Sequence, residues 1–360
     1  MLKGRIVSGK IVSILLAVTM MAGCILTGCG SGESGGLGAG GKEAEAANGP
    51  AAGKGEGSQD GTSGKPAEVS VIIETFDNTF ASFVMNAMKK YEEEHKDKIH
   101  ITYLDSKQDA NTQISQVENQ ILNGTQAIIC LAVDAKQSEP IVRACKEAGV
   151  PLIAFNRIFE NCDSFVGADG AVAGSLLARF TGEKTGGKGN VAIVNGIMGQ
   201  ENQFIRRDAI VETLGEMYPD MQVVIEGAGD WKRDKALQLV ETWLQSGTDI
   251  DAILCLNDDM AMGTQLAVEQ AGRSSDIIVC GVNGDPDGIN AVRDGKIAAT
   301  VFQNPDRQAE EALEAALQYI HGEKPESKIM IPFELVTADN VDDYVQYSPV
   351  SYTHLTLPTT

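Results

Sequence analysis

Short unbroken apolar runs recur along this chain, each closed by a polar turn and followed by an amphipathic stretch. The clearest case is Ala252-Ile-Leu-Cys-Leu256 followed by Asn257-Asp-Asp-Met-Ala-Met-Gly263. A run this short does not make a helix, and its lack of alternation marks a strand covered on both faces. Asn257 or Asp258 can cap the helix that follows, with Met260, Met262, Leu266 and Ala267 turned inward. In parallel α/β sheets, ligands are met outside the carboxyl ends of the strands. Asn257 and Asp258 therefore stand where a small molecule would be met, unless both only cap the helix.

The pattern runs almost the length of the chain. Strand-like segments occur at 69–74, 99–104, 127–133, 152–155, 165–167, 191–195, 223–227, 252–256, 277–282, 298–302 and near 329–333, with helical segments between most of them. Strands alternating with helices predict parallel sheets with helices on both faces. About ten such strands in 360 residues predict two α/β domains rather than one.

The charge and the reactive side chains exclude several function classes. A net charge of −21 opposes nucleic-acid binding, which needs a basic face. The four histidines, His95, His100, His321 and His354, do not follow strand ends, so no nucleophile–base set or zinc site is indicated. Cys130, Cys145, Cys162, Cys255 and Cys280 lack metal-ligand spacing, and Cys130, Cys255 and Cys280 fall in apolar runs where thiols pack as small hydrophobes. Gly182 to Lys188 imitates a phosphate loop but leads into a strand instead of out of one. Asn283 to Asp294 imitates a calcium loop, with Asn at its first position and Pro286 placed to start a helix. The expectation is a protein without metal or cofactor, and not an enzyme.

Amides gather at the strand ends instead. Asn78, Asn156, Gln200 with Asn202, Asn257, Asn283 and Gln303 each lie just beyond one of the predicted strands. Amides both donate and accept, as paired hydroxyls require. Phe80 and Trp231, one from each half of the chain, can lie flat against the C–H faces of a ring, and Arg206 can add charge-assisted bonds. This combination suits a neutral polyhydroxyl ligand. The competing readings are that Asn78, Asn202 and Asn283 cap helices, that Trp231 is core, and that Arg206 lies on a solvated face.

The first 28 residues read as an export signal, with Lys3, Arg5 and Lys10 ahead of the apolar Ile11–Val18. Leu26-Thr-Gly-Cys29 resembles the lipobox of bacterial lipoproteins, which makes Cys29 the expected lipidated residue and the outer face of the cell membrane the expected location. Gly, Ser, Ala and Glu dominate from Gly30 to about Lys65, a composition expected of a flexible tether. Residues 348–360 follow no period and read as a non-native tail.

From about Val69 to Tyr347 the chain resembles the type I periplasmic sugar-binding proteins, the galactose/glucose-binding members above all. The resemblance is carried by Phe76-Asp-Asn-Thr-Phe80, Val150-Pro-Leu-Ile-Ala-Phe-Asn156, Val166-Gly-Ala-Asp169, Asn257-Asp-Asp-Met-Ala-Met-Gly263 and Gly281-Val-Asn283. It implies an α/β fold of two Rossmann-like lobes with parallel sheets, joined by a three-crossover hinge. The expected limits are 1–28 for the signal, 29–67 for the tether, 68–168 plus 305–328 for the N-terminal lobe and 169–303 plus 330–347 for the C-terminal lobe. Phe80 and Trp231 would sandwich the sugar ring. Asn78, Asn156, Asn202, Arg206, Asn257, Asn283 and Gln303 would meet its hydroxyls, and Gln200 would stand where the family often has His. The galactose/glucose pattern has Asp at Asn78, Asn202 and Asn283, and Asn at Leu131 and Gln303, so the resemblance leaves the sugar open. The implied function is extracytoplasmic capture of a monosaccharide-like ligand, by a monomer, for the permease subunits of an ABC importer. A sugar sensor feeding a chemoreceptor or histidine kinase is the alternative.

Overall fold

The computed structural model describes residues 65–347; Cys29, the expected signal, the expected tether as far as residue 64 and the expected tail lie outside them, and Ala67, expected within the tether, begins the first strand. Strands and helices alternate in the order β1 (Ala67–Ile73), α1 (Thr79–Glu94), β2 (Ile99–Asp105), α2 (Ala110–Leu122), β3 (Ala127–Cys130), α3 (Glu139–Ala148), β4 (Leu152–Phe155) and β5 (Ser164–Gly167). The second series is α4 (Gly170–Thr185), β6 (Lys188–Asn195), α5 (Glu201–Met217), β7 (Asp220–Ala228), α6 (Arg233–Gln245), β8 (Ala252–Cys255), α7 (Asp258–Gln270), β9 (Ile278–Asn283), α8 (Pro286–Arg293) and β10 (Ala299–Phe302). It is followed by α9 (Pro305–Ile320), β11 (Lys328–Met330) and β12 (Glu334–Thr337).

These strands form two six-stranded sheets, ordered β11-β5-β4-β3-β1-β2 and β12-β10-β9-β8-β6-β7. The unbroken apolar runs are buried along their whole length in β3, β4 and β8, as strands with helices on both sides require. In β3 the side chains alternate between two cores. Ala127 and Ile129 join the cluster that includes Ala312 and Leu313 of α9, and Ile128 and Cys130 join the one built on α2 and α3. The second sheet carries a single larger core, from Ala173 to Tyr344. The strand order reverses between β1 and β3 in one lobe and between β6 and β8 in the other, the switch points beside which open α/β sheets bind ligands.

The chain passes between the sheets after β5, after β10 and after β11, giving the three crossovers of the type I periplasmic binding fold. Every pairing is parallel except β10 with β12. The exception has a geometric cause. β11 runs toward the gap, only residues 331–333 separate it from β12, and so β12 enters the second sheet from the end where the other strands finish. The strand expected near 329–333 is β11, which ends at Met330; β12, in the other sheet, was not expected. The strand expected at 127–133 stops at Cys130, because the chain leaves the sheet there. Leu266, expected to face inward, is exposed, while Met260 and Ala267 are buried.

Glycine sets how closely one helix pair can approach. A Cβ on Gly174 of α4 would lie 2.2 Å from the carbonyl oxygen of Arg206 on α5, whereas one on Gly215 of α5 would meet nothing within 4 Å. Gly174→Ala is therefore expected to lower the unfolding free energy by about 1–3 kcal/mol. Gly215→Ala is expected to leave it unchanged or raise it by up to about 1 kcal/mol. Chemical denaturation of the two variants checks the contrast.

Candidate functional site

The carboxyl ends of both sheets meet at one cleft, with about 670 Å³ of empty space including its open mouth. That lies within the range of small-molecule sites. Asn78, Phe80, Asn156, Asn202, Arg206, Trp231, Asn257, Asn283 and Gln303 all line it, and Gln200 does not.

On the first lobe the cleft is built from the turns after β1 and β4. Asn78 is the cap of α1: its Oδ1 accepts from the Ala81 N–H at 3.0 Å, while its Nδ2 donates to Glu74 Oε1 at 2.7 Å. Capping and cleft lining are therefore combined in one side chain. Phe80 is buried in the first lobe's core and shows its remaining surface to the cleft. Glu74 and Arg157, both lining the cleft, form an ion pair that is almost wholly buried. Arg157 Nη1 also donates to the Ala132 carbonyl at 2.6 Å. Neither member of this pair was among the residues expected to bind ligand, although Arg157 was among the polar residues at strand ends. Their signal was a charged residue closing each of two apolar runs, on the strands that flank β3.

On the second lobe, Arg206 is 4% exposed. It donates from Nη1 to the Leu256 carbonyl at 2.6 Å and from Nη2 to Gln303 Oε1 at 3.0 Å, and its guanidinium lies over the Phe333 ring. Arg206 thus lines the cleft and is not a solvated face. Burial lowers its pKa to about 10, with the Asp258 carboxylate acting in the opposite direction. The Nε atoms of Arg157 and Arg206 have no hydrogen-bond partner among the described residues. Asn257 caps α7, its Oδ1 accepting from the Met260 N–H at 2.9 Å, and its Nδ2 donates to the Trp231 carbonyl at 3.3 Å. Asp258, expected to meet a ligand or cap the helix, does neither and is fully buried behind the cleft.

Trp231 is half-buried, and its indole fits only because residue 196 is glycine: a Cβ there would lie 2.0 Å from Trp231 Cζ2. Gln200 stands behind the indole, its Oε1 accepting from Trp231 Nε1 at 2.7 Å and from Arg157 Nη2 at 3.2 Å. It links the aromatic of one lobe to the guanidinium of the other. Asn202 Nδ2 donates across the same gap to Asn156 Oδ1 at 2.8 Å, and Thr79 Oγ1 bonds Asp259. Asn156, Asp230, Trp231 and Asn283 line the cleft with φ of 59°, 53°, 62° and 128°. Backbone of this kind is costly for residues other than glycine and concentrates at ligand clamps.

Two lobes whose strand ends deliver polar side chains and one aromatic each to a common cleft define a two-lobed solute-binding protein. A family model for the periplasmic binding protein domain matches residues 69–324, and the chain belongs to that family. It is 33% identical over 252 residues to a xylitol-binding protein of Mycolicibacterium smegmatis, covering 69% of this chain and 72% of the relative. The ribose import binding protein of Bacillus subtilis is 29% identical over 275 residues, 76% of this chain and 88% of the relative. Among solved structures, an ABC transporter solute-binding protein from Bacillus halodurans with bound myo-inositol matches with a TM-score of 0.76 at 34% identity, covering 80% of this chain and all of that one. A myo-inositol-binding protein of Caulobacter bound to myo-inositol matches at 0.74 and 26% identity, covering 79% of this chain and 97% of that one.

The buried ion pair makes a stability test. Arg157→Met leaves the Glu74 carboxylate buried without its cation and is expected to cost about 3–5 kcal/mol of unfolding free energy. Adding Glu74→Leu is expected to recover most of that loss. Denaturant titration measures both; a lone Arg157→Met variant as stable as the wild type would show that the pair is not desolvated.

Proposed function

We propose that this protein captures a polyhydroxyl ligand, a monosaccharide or polyol, in the interlobe cleft and delivers it to the membrane subunits of an ABC importer. The observation carrying this reading is the donor–acceptor balance of the cleft. Five asparagines, Gln303 and two guanidiniums from both lobes surround a space with one aromatic on each side of the chain's division. Hydroxyl groups use amide donors and acceptors together, and each Arg Nε–H without a partner can be met by a hydroxyl oxygen. Phe80 and Trp231 supply faces for ring or chain carbons. Relatives named for xylitol and ribose, and structures holding myo-inositol, support the same chemical class. Nothing in the site favours the sensor alternative.

In this proposal residues 68–168 with 305–328, and 169–303 with 330–347, close on the ligand as two bodies. A monomer acts at the outer face of the cell membrane, held by a lipid on Cys29, and performs no chemistry on what it binds. Closure follows because a ligand touching both lobes favours the state in which both can touch it.

Asn257→Ser gives the discriminating test, because serine retains a capping oxygen while the amide is lost. Against a panel of myo-inositol, xylitol, ribose and common hexoses, at least one compound is expected to raise the melting temperature of the wild type. At a hundred times its dissociation constant it should stabilise the fold by about 2.7 kcal/mol. Asn257→Ser should weaken that compound's binding about tenfold or more, roughly 1.4 kcal/mol, with little change in unliganded melting. A panel without a shift would refute the polyhydroxyl reading; wild-type affinity in the variant would remove Asn257 from the site.

A further inference from the structure

The second lobe contains a buried carboxylate that the cleft does not use. Asp258 follows the ligand-facing Asn257, is fully buried, and makes no ion pair among the described residues. Its Oδ1 accepts from Thr300 Oγ1 at 2.6 Å and its Oδ2 from the Asp285 N–H at 3.0 Å. Thr300 Oγ1 in turn accepts from the Gly284 N–H at 3.2 Å. One carboxylate, itself just past the end of β8, thus ties the turn after β9 to Thr300 within β10. Asn257 precedes it after β8, Asn283 closes β9 immediately before the Gly284–Asp285 turn it holds, and Gln303 follows β10 three residues after Thr300.

The chamber around it admits little else. A Cβ on Gly281 would lie 2.1 Å from Asp258 Oδ1, and one on Gly288 would lie 2.2 Å from Oδ2. Asp259 and Asp285 are its acidic neighbours, and Asp285 Oδ1 accepts from the Gly288 N–H at 2.9 Å to cap α8. Burial and then the Asp258 charge push the Asp285 carboxyl well above the usual carboxylate range. Burial also raises Asp258, but its hydrogen bonds with Thr300 and the Gly284–Asp285 backbone favour the ionised form. The buried Arg206 guanidinium feels the Asp258 charge, but no direct ion pair between them is present among the described residues; a carboxylate buried without such a partner is costly, and an apolar side chain would fill the same space more cheaply. What the carboxylate adds is short, directional bonds of the charge-assisted kind, in a place where three amides must hold one arrangement.

We propose that Asp258 is a positioning residue: without touching the ligand, it locks the ends of β8, β9 and β10 so that the Asn257, Asn283 and Gln303 amides form one preset donor–acceptor array. The inference rests on the polyhydroxyl reading for its affinity consequence, but its structural core does not depend on the ligand's identity. Asn283 is the amide most dependent on the lock, since its φ of 128° requires the following turn to be held.

The test uses Asp258→Asn in two readouts. In the unliganded, ¹⁵N-labelled protein, the side-chain amide signals of Asn283 and Gln303 are expected to shift or broaden, and those of Asn78 on the first lobe to stay in place. In calorimetry with whichever polyol of the panel binds the wild type, Asp258→Asn is expected to raise Kd tenfold or more. Its effect should be much smaller in an Asn283→Gly background, where the amide is gone and glycine accepts the positive φ. Unmoved Asn283 and Gln303 signals would overturn the proposal, and so would equal factors in both backgrounds. Should no polyol bind the wild type, the polyhydroxyl reading falls and the amide signals alone decide the role of Asp258. If Asp258→Asn does not fold, Thr300→Val cuts the link to β10 and should move the Gln303 signal; an unmoved signal there counts equally against the lock.

Discussion

Parallel strands in two sheets that run toward each other leave all their carboxyl ends facing one gap, and that constraint governs the rest of the molecule. The polar groups collected there include two guanidiniums removed from water, Arg157 and Arg206. Buried cations need acceptors, and the fold supplies them from different sources. Arg157 has the Glu74 carboxylate, the Ala132 carbonyl and Gln200; Arg206 has the Leu256 carbonyl and Gln303. Within each lobe, the Arg157 contacts with Glu74 and Ala132 join neighbouring strand ends, and the Arg206 contacts with Leu256 and Gln303 join α5 to the ends of β8 and β10, so the floor of the cleft is stiff before any ligand is considered. Across the gap the lobes meet through single polar contacts, among them Asn202 with Asn156, Gln200 with Arg157 and Thr79 with Asp259, which are separable in a way that the cores behind them are not.

Much of this architecture was legible in the sequence because fully buried strands and amphipathic helices leave different periods. The runs at β4 and β8 and the helix following β8 came directly from that difference. What escaped was set by the path between lobes. Ile331 and Phe333 are buried in a crossover, so their hydrophobicity looked like strand, and the short β12 that follows them was missed. Leu266 escaped because α7 is covered on more than one side, which blurs the stripe that normally assigns an inner face.

The site was legible to the extent that topology places residues. Amides just beyond strand ends were found because parallel sheets put those positions at the cleft. The sequence could not tell whether a polar side chain there meets the cleft or supports another side chain. Asn257 does both, capping α7 while lining the cleft; Gln200 supports Trp231; Asp258 is enclosed by Gly281 and Gly288. Glu74 and Arg157 were passed over because their pairing depends on two strands that flank a third, a relation given by sheet order and not by sequence spacing.

Hydrogen–deuterium exchange, with and without a saturating polyol identified by titration, tests most directly the claim that one ligand engages both lobes. The account predicts slowed exchange in the 74–80 segment of the first lobe together with the 229–233 and 283–285 segments of the second. Protection confined to one lobe, or to surfaces away from these three turns, would contradict it.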